Sequence, residues 1–259
     1  MNDAVVGLDL SIVAPVYNER PNLEPFVAEV EAALRDSGMS HEILLVDDGS
    51  TDGSSELIDR LAGQTTRVRA IHLRANRGQT AAFDAGFKYA RGRIVVTIDA
   101  DLQNDPRDII GLVAELERYD AAVGYRRTRQ DRWLRRVSST IANRVRNSLS
   151  GDDIIDTGCS LKAFRRETLS SLKLYTGMHR FLPTLLRIEG YRVVQRPVAH
   201  RPRHAGHSKY GVRNRAVRAF VDLLAVRWMK RRHLGYEIVT PQATDQRDES
   251  SPASSSRAK

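Results

Sequence analysis

The chain of 259 residues carries 41 Lys and Arg against 32 Asp and Glu, a net charge of +9, and has a single cysteine, Cys159. One cysteine excludes an intramolecular disulfide framework and a Cys-rich zinc site, and it suits a reducing cytosol. No window is long and apolar enough for a transmembrane helix, and the opening MNDAVVGLDL lacks the basic and apolar regions of a signal peptide, so the chain is expected to fold in the cytoplasm as one elaborated α/β domain.

The basicity is regional. Residues 121–149 hold eight Arg against Asp131 alone, and residues 200–235 hold ten Lys or Arg against Asp222 alone, so the remainder is acidic. Arg dominates both windows, and its planar fork suits bidentate contact with phosphate. Nucleic acid, an anionic membrane surface and a phosphate-rich substrate all fit such a distribution.

In chain order, Leu10 to Pro15 (LSIVAP) reads as a short buried strand ending in Tyr17-Asn18-Glu19, and Asn22 as the cap of a helix through Leu34. His41 to Val46 is a second strand ending in Asp47-Asp48-Gly49-Ser50, and Ser50-Thr51-Asp52 opens a helix through Leu57, Ile58 and Leu61. Val68 to Leu73 is a third strand, followed by Asn76-Arg77-Gly78 and an alanine-rich helix to about Arg91. Ile94 to Ile98 is a fourth, with Asp99 and Asp101 at its end and a helix opened by Pro106; Ala121 to Tyr125 is another. The strand–helix alternation predicts a parallel, doubly wound sheet flanked by helices.

In that sheet the strands' carboxyl ends lie on one edge, where ligands bind. Tyr17 and Glu19, Asp47 and Asp48, Arg77, and Asp99 and Asp101 therefore converge. In extended backbone Asp99 and Asp101 point the same way and can share one hard cation such as Mg²⁺ or Mn²⁺, which keeps waters and takes up substrate phosphates; the plainer alternative is a pair of loop acids that cap the next helix. Neither G-x-G-x-x-G after the first strand nor G-x-x-x-x-G-K-[ST] occurs, which disfavours a dinucleotide oxidoreductase and a P-loop NTPase.

Beyond Arg126, Trp133 to Leu149 reads as an Arg-studded helix, Asp156-Thr157-Gly158-Cys159 as a turn, Ser160 to Phe164 as a strand, Arg180 to Ile188 as a helix and Tyr191 to Pro197 as an outer strand. Arg201 to Lys209 is a basic loop. Val212 to Arg232 is basic and amphipathic, either an interfacial membrane element or a helix packed on the core with a charged outer face. From Gln242 the composition is that of a disordered tail. His179, His204 and His207 lack the paired spacing of metal ligands.

With these residues placed, residues 10–235 resemble a family 2 glycosyltransferase of the GT-A fold, and within it the polyprenyl-phosphate (dolichyl-phosphate mannose synthase-like) enzymes. The resemblance rests on P-V-Y-N-E at Pro15–Glu19, V-D-D-G-S-T-D at Val46–Asp52, N-R-G-Q at Asn76–Gln79, D-A-D-L-Q-N-D-P at Asp99–Pro106, G-Y-R at Gly124–Arg126, D-T-G-C at Asp156–Cys159 and R-x-x-G-x-S-K at Arg203–Lys209. It implies an α/β fold with a mixed, mainly parallel, doubly wound sheet. The implied layout is an N-terminal extension (1–9), a catalytic domain (10–211), the basic amphipathic helix (212–235) and a disordered tail (236–259).

The resemblance further implies a metal-dependent hexosyltransferase that moves a mannose- or glucose-like sugar, with inversion, from a nucleoside-diphosphate donor to a polyprenyl phosphate. Pro15, Tyr17, Glu19, Val46 and Asp48 would line the donor's nucleotide pocket, with Arg77 and Ala100 beside it and Lys209 against a diphosphate. Asp99, Asp101 and Gln103 would organise Mg²⁺ or Mn²⁺, and Arg126, Arg135, Ser139 and Arg203 would hold the acceptor phosphate. Asp99, Asp101, Arg126 and Arg203 form the implied catalytic set, while Asp156 either orients the sugar or an Arg or caps a turn. An ionised phosphate needs no general base, so positioning and charge stabilisation are the main tasks. Many relatives carry transmembrane helices after the catalytic domain; here the lipid would be met peripherally at the inner membrane face, through the basic helix or a membrane-protein partner. A transferase acting on a saccharide or lipid hydroxyl in cell-envelope polysaccharide synthesis is the alternative, and would need a carboxylate base, for which only Asp156 and Asp105 offer themselves. Nucleic acid is not an expected partner, because the acidic strand ends would repel its backbone.

Overall fold

The computed structural model describes residues 7–126, 153–202 and 212–236. The Trp133–Leu149 helix, Arg135, Ser139, Arg203, Lys209, His204, His207 and the tail lie outside the described residues.

Seven strands form one sheet: β1 (Leu10–Val16), β2 (His41–Asp47), β3 (Val68–His72), β4 (Ile94–Thr97), β5 (Ala121–Arg126), β6 (Lys162–Arg165) and β7 (Val193–Val198), in the order β3-β2-β1-β4-β6-β5-β7. Every pairing is parallel except those of β6, which runs antiparallel between β4 and β5. The mixed, mainly parallel sheet is therefore as expected. The strand read at Ser160 to Phe164 is β6 (Lys162–Arg165), and its antiparallel direction is what the strand–helix alternation of the first half of the chain does not give.

Both faces of the sheet are covered, which is why β2 is buried at every position and its sequence reads as a continuous apolar run rather than an alternating one. Ile12, Ala14 and Val16 of β1 face α1 (Arg20–Leu34), α2 (Ser54–Gln64) and α4 (Asp108–Glu115), through Phe26, Val30, Ile58 and Leu112. Val13 faces the other way, toward Phe83 of α3 (Gln79–Tyr89) and Leu182 and Leu186 of α6 (Leu182–Ile188). A short helix α5 (Arg166–Ser170) and a 3₁₀ turn (Met178–Phe181) complete that layer. α7 (Val212–Arg232) leans on the 3₁₀ turn, with Leu223 and Val226 packed against Met178, Phe181 and Leu185.

Boundaries moved where side chains outside the period took over. The first helix starts at Arg20, and Asn22 is buried inside it, donating from Nδ2 to Glu19 at 2.7 Å rather than capping. Helix α2 begins at Ser54 after Gly53 in the left-handed region (φ 85°), because Ser50, Thr51 and Asp52 are spent on the neighbouring loop. The amides of Asn18 and Arg20 donate to Ser50 Oγ (3.0 Å) and Asp52 (3.2 Å), and the amide of Thr51 donates to Asn18 Oδ1 (2.7 Å). This lacing fixes the ends of β1 and β2 against each other.

The strand order reverses at β1, since β2 and β3 lie on one side of it and β4 on the other. A crevice opens at the carboxyl ends of strands on either side of such a reversal. Tyr17 follows β1 and Asp99 follows β4, so both lie at that edge.

Candidate active site

Asp48, just after β2, has a buried carboxylate that accepts the amides of Arg77 (2.6 Å) and Gly78 (2.8 Å). Burial pushes its pKa up, and the two amides pull against that shift. Asp48 therefore builds the loop entering α3, besides lying where a nucleotide contact is expected. Val46 is fully buried in the core and Ala100 nearly so, which leaves only their backbone for a ligand. Pro15, Tyr17 and Glu19 are half-buried on the rim, and Arg77 is exposed beside them.

The β4 end differs from its expected form. The strand stops at Thr97, and Leu102 adopts φ 62°, so Asp99 to Gln103 is a tight loop and not an extended continuation. Asp99 and Asp101 share the edge through loop geometry, and the alternation argument that paired them fails. Gln79 donates from Nε2 to Asp99 Oδ1 at 2.7 Å, and Asp101 Oδ1 accepts the Gln103 amide at 3.2 Å. Among the described residues no group of three or more His, Cys, Asp or Glu gathers as a metal cage. Two carboxylates at an open rim match the hard-cation sites in which waters and substrate phosphates complete the shell, so the donor set fits Mg²⁺ or Mn²⁺.

Ser160, absent from the sequence-based set, ties this loop down. Its Oγ accepts the Asp99 amide (3.2 Å) and Asn104 Nδ2 (2.9 Å), and its carbonyl oxygen accepts Thr97 Oγ1 (2.6 Å). Asn104 and Gln79 were likewise given no role, although Gln79 closes the N-R-G-Q motif. What hid Ser160 was β6, whose insertion beside β4 cannot be read from local pattern.

Arg126, at the end of β5, is held by Asp156 in a two-pronged pair, Nε to Oδ2 at 2.6 Å and Nη2 to Oδ1 at 2.9 Å. Both side chains are mostly buried. Burial works against the guanidinium's charge, but the Asp156 hydrogen bonds more than offset it. Asp156 thus holds an Arg and, by accepting the Gly158 amide at 3.1 Å, also caps its own turn, two of the roles left open for it. Asp105 is gripped by Arg107 at 2.6 Å and by Arg201 at 2.8 Å, and those contacts, Arg107's above all, hold its carboxyl far below the usual carboxylate range. Arg201 also donates its amide to the Gln103 carbonyl at 2.8 Å, which ties Arg201 beside the acidic loop. His179 accepts or donates at Nδ1 to Thr80 Oγ1 (2.7 Å), next to Gln79.

The arrangement puts carboxylates at the end of β4 and a held guanidinium at the end of β5 on one rim, separated only by β6. Such a rim can bind a polyphosphate through a divalent ion on one side and a second anion on the other.

Residues 11–172 match the sequence profile described as Glycosyl transferase family 2. The dodecaprenyl-phosphate galacturonate synthase of Rhizobium johnstonii is 41% identical over 236 residues, covering 89% of this chain and 70% of that protein. The undecaprenyl-phosphate 4-deoxy-4-formamido-L-arabinose transferase of Aeromonas hydrophila is 39% identical over 214 residues, covering 82% of this chain and 65% of that one. Among solved structures, the glucosyl-3-phosphoglycerate synthase of Mycobacterium tuberculosis in complex with Mn²⁺ and UDP-glucose superposes with a TM-score of 0.64 at 21% identity, covering 85% of this chain and 79% of that one. The mannosyltransferase PcManGT of Pyrobaculum calidifontis in complex with GDP-Man and Mn²⁺ gives 0.60 at 22%, covering 90% and 66%. The chain spans about two thirds of the length of the curated relatives it matches.

Proposed function

Because the chain belongs to glycosyl transferase family 2 and has its GT-A fold, we propose that it moves a sugar from a nucleoside-diphosphate donor to a polyprenyl phosphate, with inversion at the anomeric carbon. The observation that carries this choice of acceptor is the state of Asp105 and Asp156, the two carboxylates a hydroxyl acceptor would have to use. Asp105 is locked between Arg107 and Arg201, and Asp156 is spent on Arg126. Asp105, held this firmly in its ionised form, is a weak base, and Asp156 is occupied by a cation. A phosphate acceptor arrives ionised and asks only for a cationic seat, which Arg126 supplies and Arg135, Ser139 and Arg203 would extend.

On the donor side, Asp99, Asp101 and Gln103 would hold Mg²⁺ or Mn²⁺, which when bound neutralises charge on the departing nucleoside diphosphate. Tyr17 and Glu19 would border the nucleotide with Pro15, the backbone of Val46 and Ala100, Asp48 and Arg77, and Lys209 would meet the diphosphate. Close relatives named for dodecaprenyl- and undecaprenyl-phosphate substrates support the lipid acceptor. The test is one donor panel, UDP- and GDP-sugars with Mn²⁺, offered in parallel to a polyprenyl phosphate and to the corresponding free polyprenol. Product is expected from the phosphate alone, and transfer to the hydroxyl at comparable rate would overturn the acceptor assignment.

Among the described residues no helix is long and apolar enough to cross a membrane. Helix α7 supports peripheral attachment, because it is apolar on two sides. Leu223 and Val226 are buried against the fold, while Phe220, Val221, Leu224 and Trp228 are 44–64% exposed, alongside Arg227, Lys230, Arg231 and Arg232. The two sequence-based alternatives for this helix are thus compatible with each other. A cationic helix carrying exposed Trp and Phe suits the headgroup region of an anionic, inner-face leaflet. Co-sedimentation with vesicles rich in phosphatidylglycerol should weaken at least about tenfold in Phe220→Ser/Trp228→Ser with the melting temperature preserved; unchanged sedimentation would remove α7 from the membrane.

A further inference from the structure

Four consecutive residues at the start of α3 bond to three parts of the fold that are distant in sequence. The amides of Arg77 and Gly78 are held by Asp48, just after β2, at 2.6 and 2.8 Å. Gly78 takes φ 86° and ψ 161°, backbone essentially closed to residues with a Cβ. Gln79 then reaches Asp99, beyond β4, from its Nε2 at 2.7 Å. Thr80 is buried, and its Oγ1 accepts the Gly177 amide at 3.0 Å and shares a hydrogen bond with His179 Nδ1 at 2.7 Å. Those two partners lie 97 and 99 residues further along the chain, at the 3₁₀ turn. The His179 ring sits 6.2 Å from that of Phe83, one turn further along α3. Helix α7 clamps the same turn from outside. Leu223 and Val226 pack on Met178 and Phe181, and Asp222 lies so close to Gly177 that a Cβ there would meet its carboxylate.

Helix α3 begins without a side-chain cap hydrogen bond. The first turn of a helix is its least constrained part, because its amides lack intrahelical partners. Gln79 stands in that turn on a long, rotatable side chain, so its aim at Asp99 depends on how firmly the turn is held. Asp48 holds the turn from one side, and the bonds of Thr80 to Gly177 and His179 hold it from the other. A nucleotide and its diphosphate are one molecule, so the pocket beside Asp48 and an ion at Asp99 have to stay in register. The segment from Arg77 to Thr80 bonds to both. Resting on the reading that Asp99 and Asp101 hold a divalent ion, we infer that Thr80 and His179 are positioning residues of the donor side. Together they fix the start of α3, so that Gln79 sets the Asp99 carboxylate relative to Asp48 before ion and donor arrive. Arg126 is held separately, by Asp156, so the acceptor side stands outside this linkage.

Thr80→Val keeps the shape of the side chain and loses both hydrogen bonds, while Thr80→Ser keeps the hydroxyl. Free Mn²⁺ is measured by electron paramagnetic resonance on titration of the full chain without sugar or acceptor. Michaelis constants for the nucleotide sugar and for polyprenyl phosphate are measured on the same preparations. Thr80→Val is expected to bind Mn²⁺ about tenfold more weakly, the usual size of an outer-shell effect. The Michaelis constant for the donor should rise with it, that for the acceptor should stay, and Thr80→Ser should lie close to the parent chain. Gln79→Met removes the last link and should show the same weakening. Adding Thr80→Val to Gln79→Met should then weaken Mn²⁺ binding no further, because the hydroxyl acts through Gln79. If Thr80→Val does not fold, His179→Leu, which leaves Thr80 its Gly177 partner, takes its place with the same expectations. Mn²⁺ binding equal to the parent's, equal rises in both Michaelis constants, or additive losses in the double variant overturn the inference and leave the metal reading standing. A parent chain that binds no Mn²⁺ overturns both.

Discussion

Asp101→Ala is expected to lower transfer to polyprenyl phosphate at least about 10³-fold while leaving the fold intact. Asp101 is mostly buried at the rim and accepts the Gln103 amide at 3.2 Å, a hydrogen bond whose loss costs the loop on the order of 1 kcal/mol. The chemical cost is larger. If Asp99 and Asp101 are the only carboxylates on the ion, removing one weakens its hold and misplaces the diphosphate, and a lost electrostatic clamp on a leaving group costs about 4 kcal/mol of barrier, or three decades in rate. Raising Mn²⁺ should restore part of the lost rate in Asp101→Asn, which keeps one oxygen ligand, and none in Asp101→Ala. Steady-state rates at several Mn²⁺ concentrations, with melting temperatures alongside, check this. Activity within tenfold of the parent chain in excess chelator would remove the ion from the reaction.

The edge on which this chemistry depends was legible from sequence, because it follows from strand polarity alone. LSIVAP, HEILLV and IVVT are short apolar runs that end in polar turns, and parallel strands bring those ends together whatever the loops do. The charges at the ends were legible for the same reason. What the sequence withheld was partnership. Nothing in V-D-D-G-S says that Asp48 would close on the amides of Arg77 and Gly78, nor in D-T-G-C that Asp156 would hold Arg126 as well as cap its own turn, since both partners are about 30 residues away. Lys162 is the sharpest case. Between Leu161 and Ala163 it reads as the solvent face of an alternating strand, and it is buried only because β6 is inserted, antiparallel, between two other strands. A motif order can identify the family, but which carboxylate is free to act depends on contacts made across the sheet.

Arg126→Met should separate the guanidinium's seat for a phosphate from its hold on Asp156. With both side chains mostly buried, at 16% and 14% exposure, removing the guanidinium strands a carboxylate, which costs about 2–3 kcal/mol of stability once partial solvent access is allowed for. A rate loss in this variant is therefore ambiguous taken alone. Asp156→Asn resolves it, because the amide still accepts the Gly158 amide hydrogen that Asp156 Oδ1 takes at 3.1 Å and no longer needs a cation. In the double variant Arg126→Met/Asp156→Asn most of the lost stability should return, since no buried charge is left unpaired. The rate should not return. An anion-binding donor missing from a preorganised site costs roughly 10²-fold, and it is missing in the double variant as in the single one, with the loss concentrated in the Michaelis constant for polyprenyl phosphate and little change in that for the donor. Asp156→Asn alone should slow transfer only about tenfold, because the guanidinium remains and loses only its orientation. Recovery of activity together with stability in the double variant would make Arg126 a structural partner of Asp156 and move the acceptor's seat elsewhere on the rim.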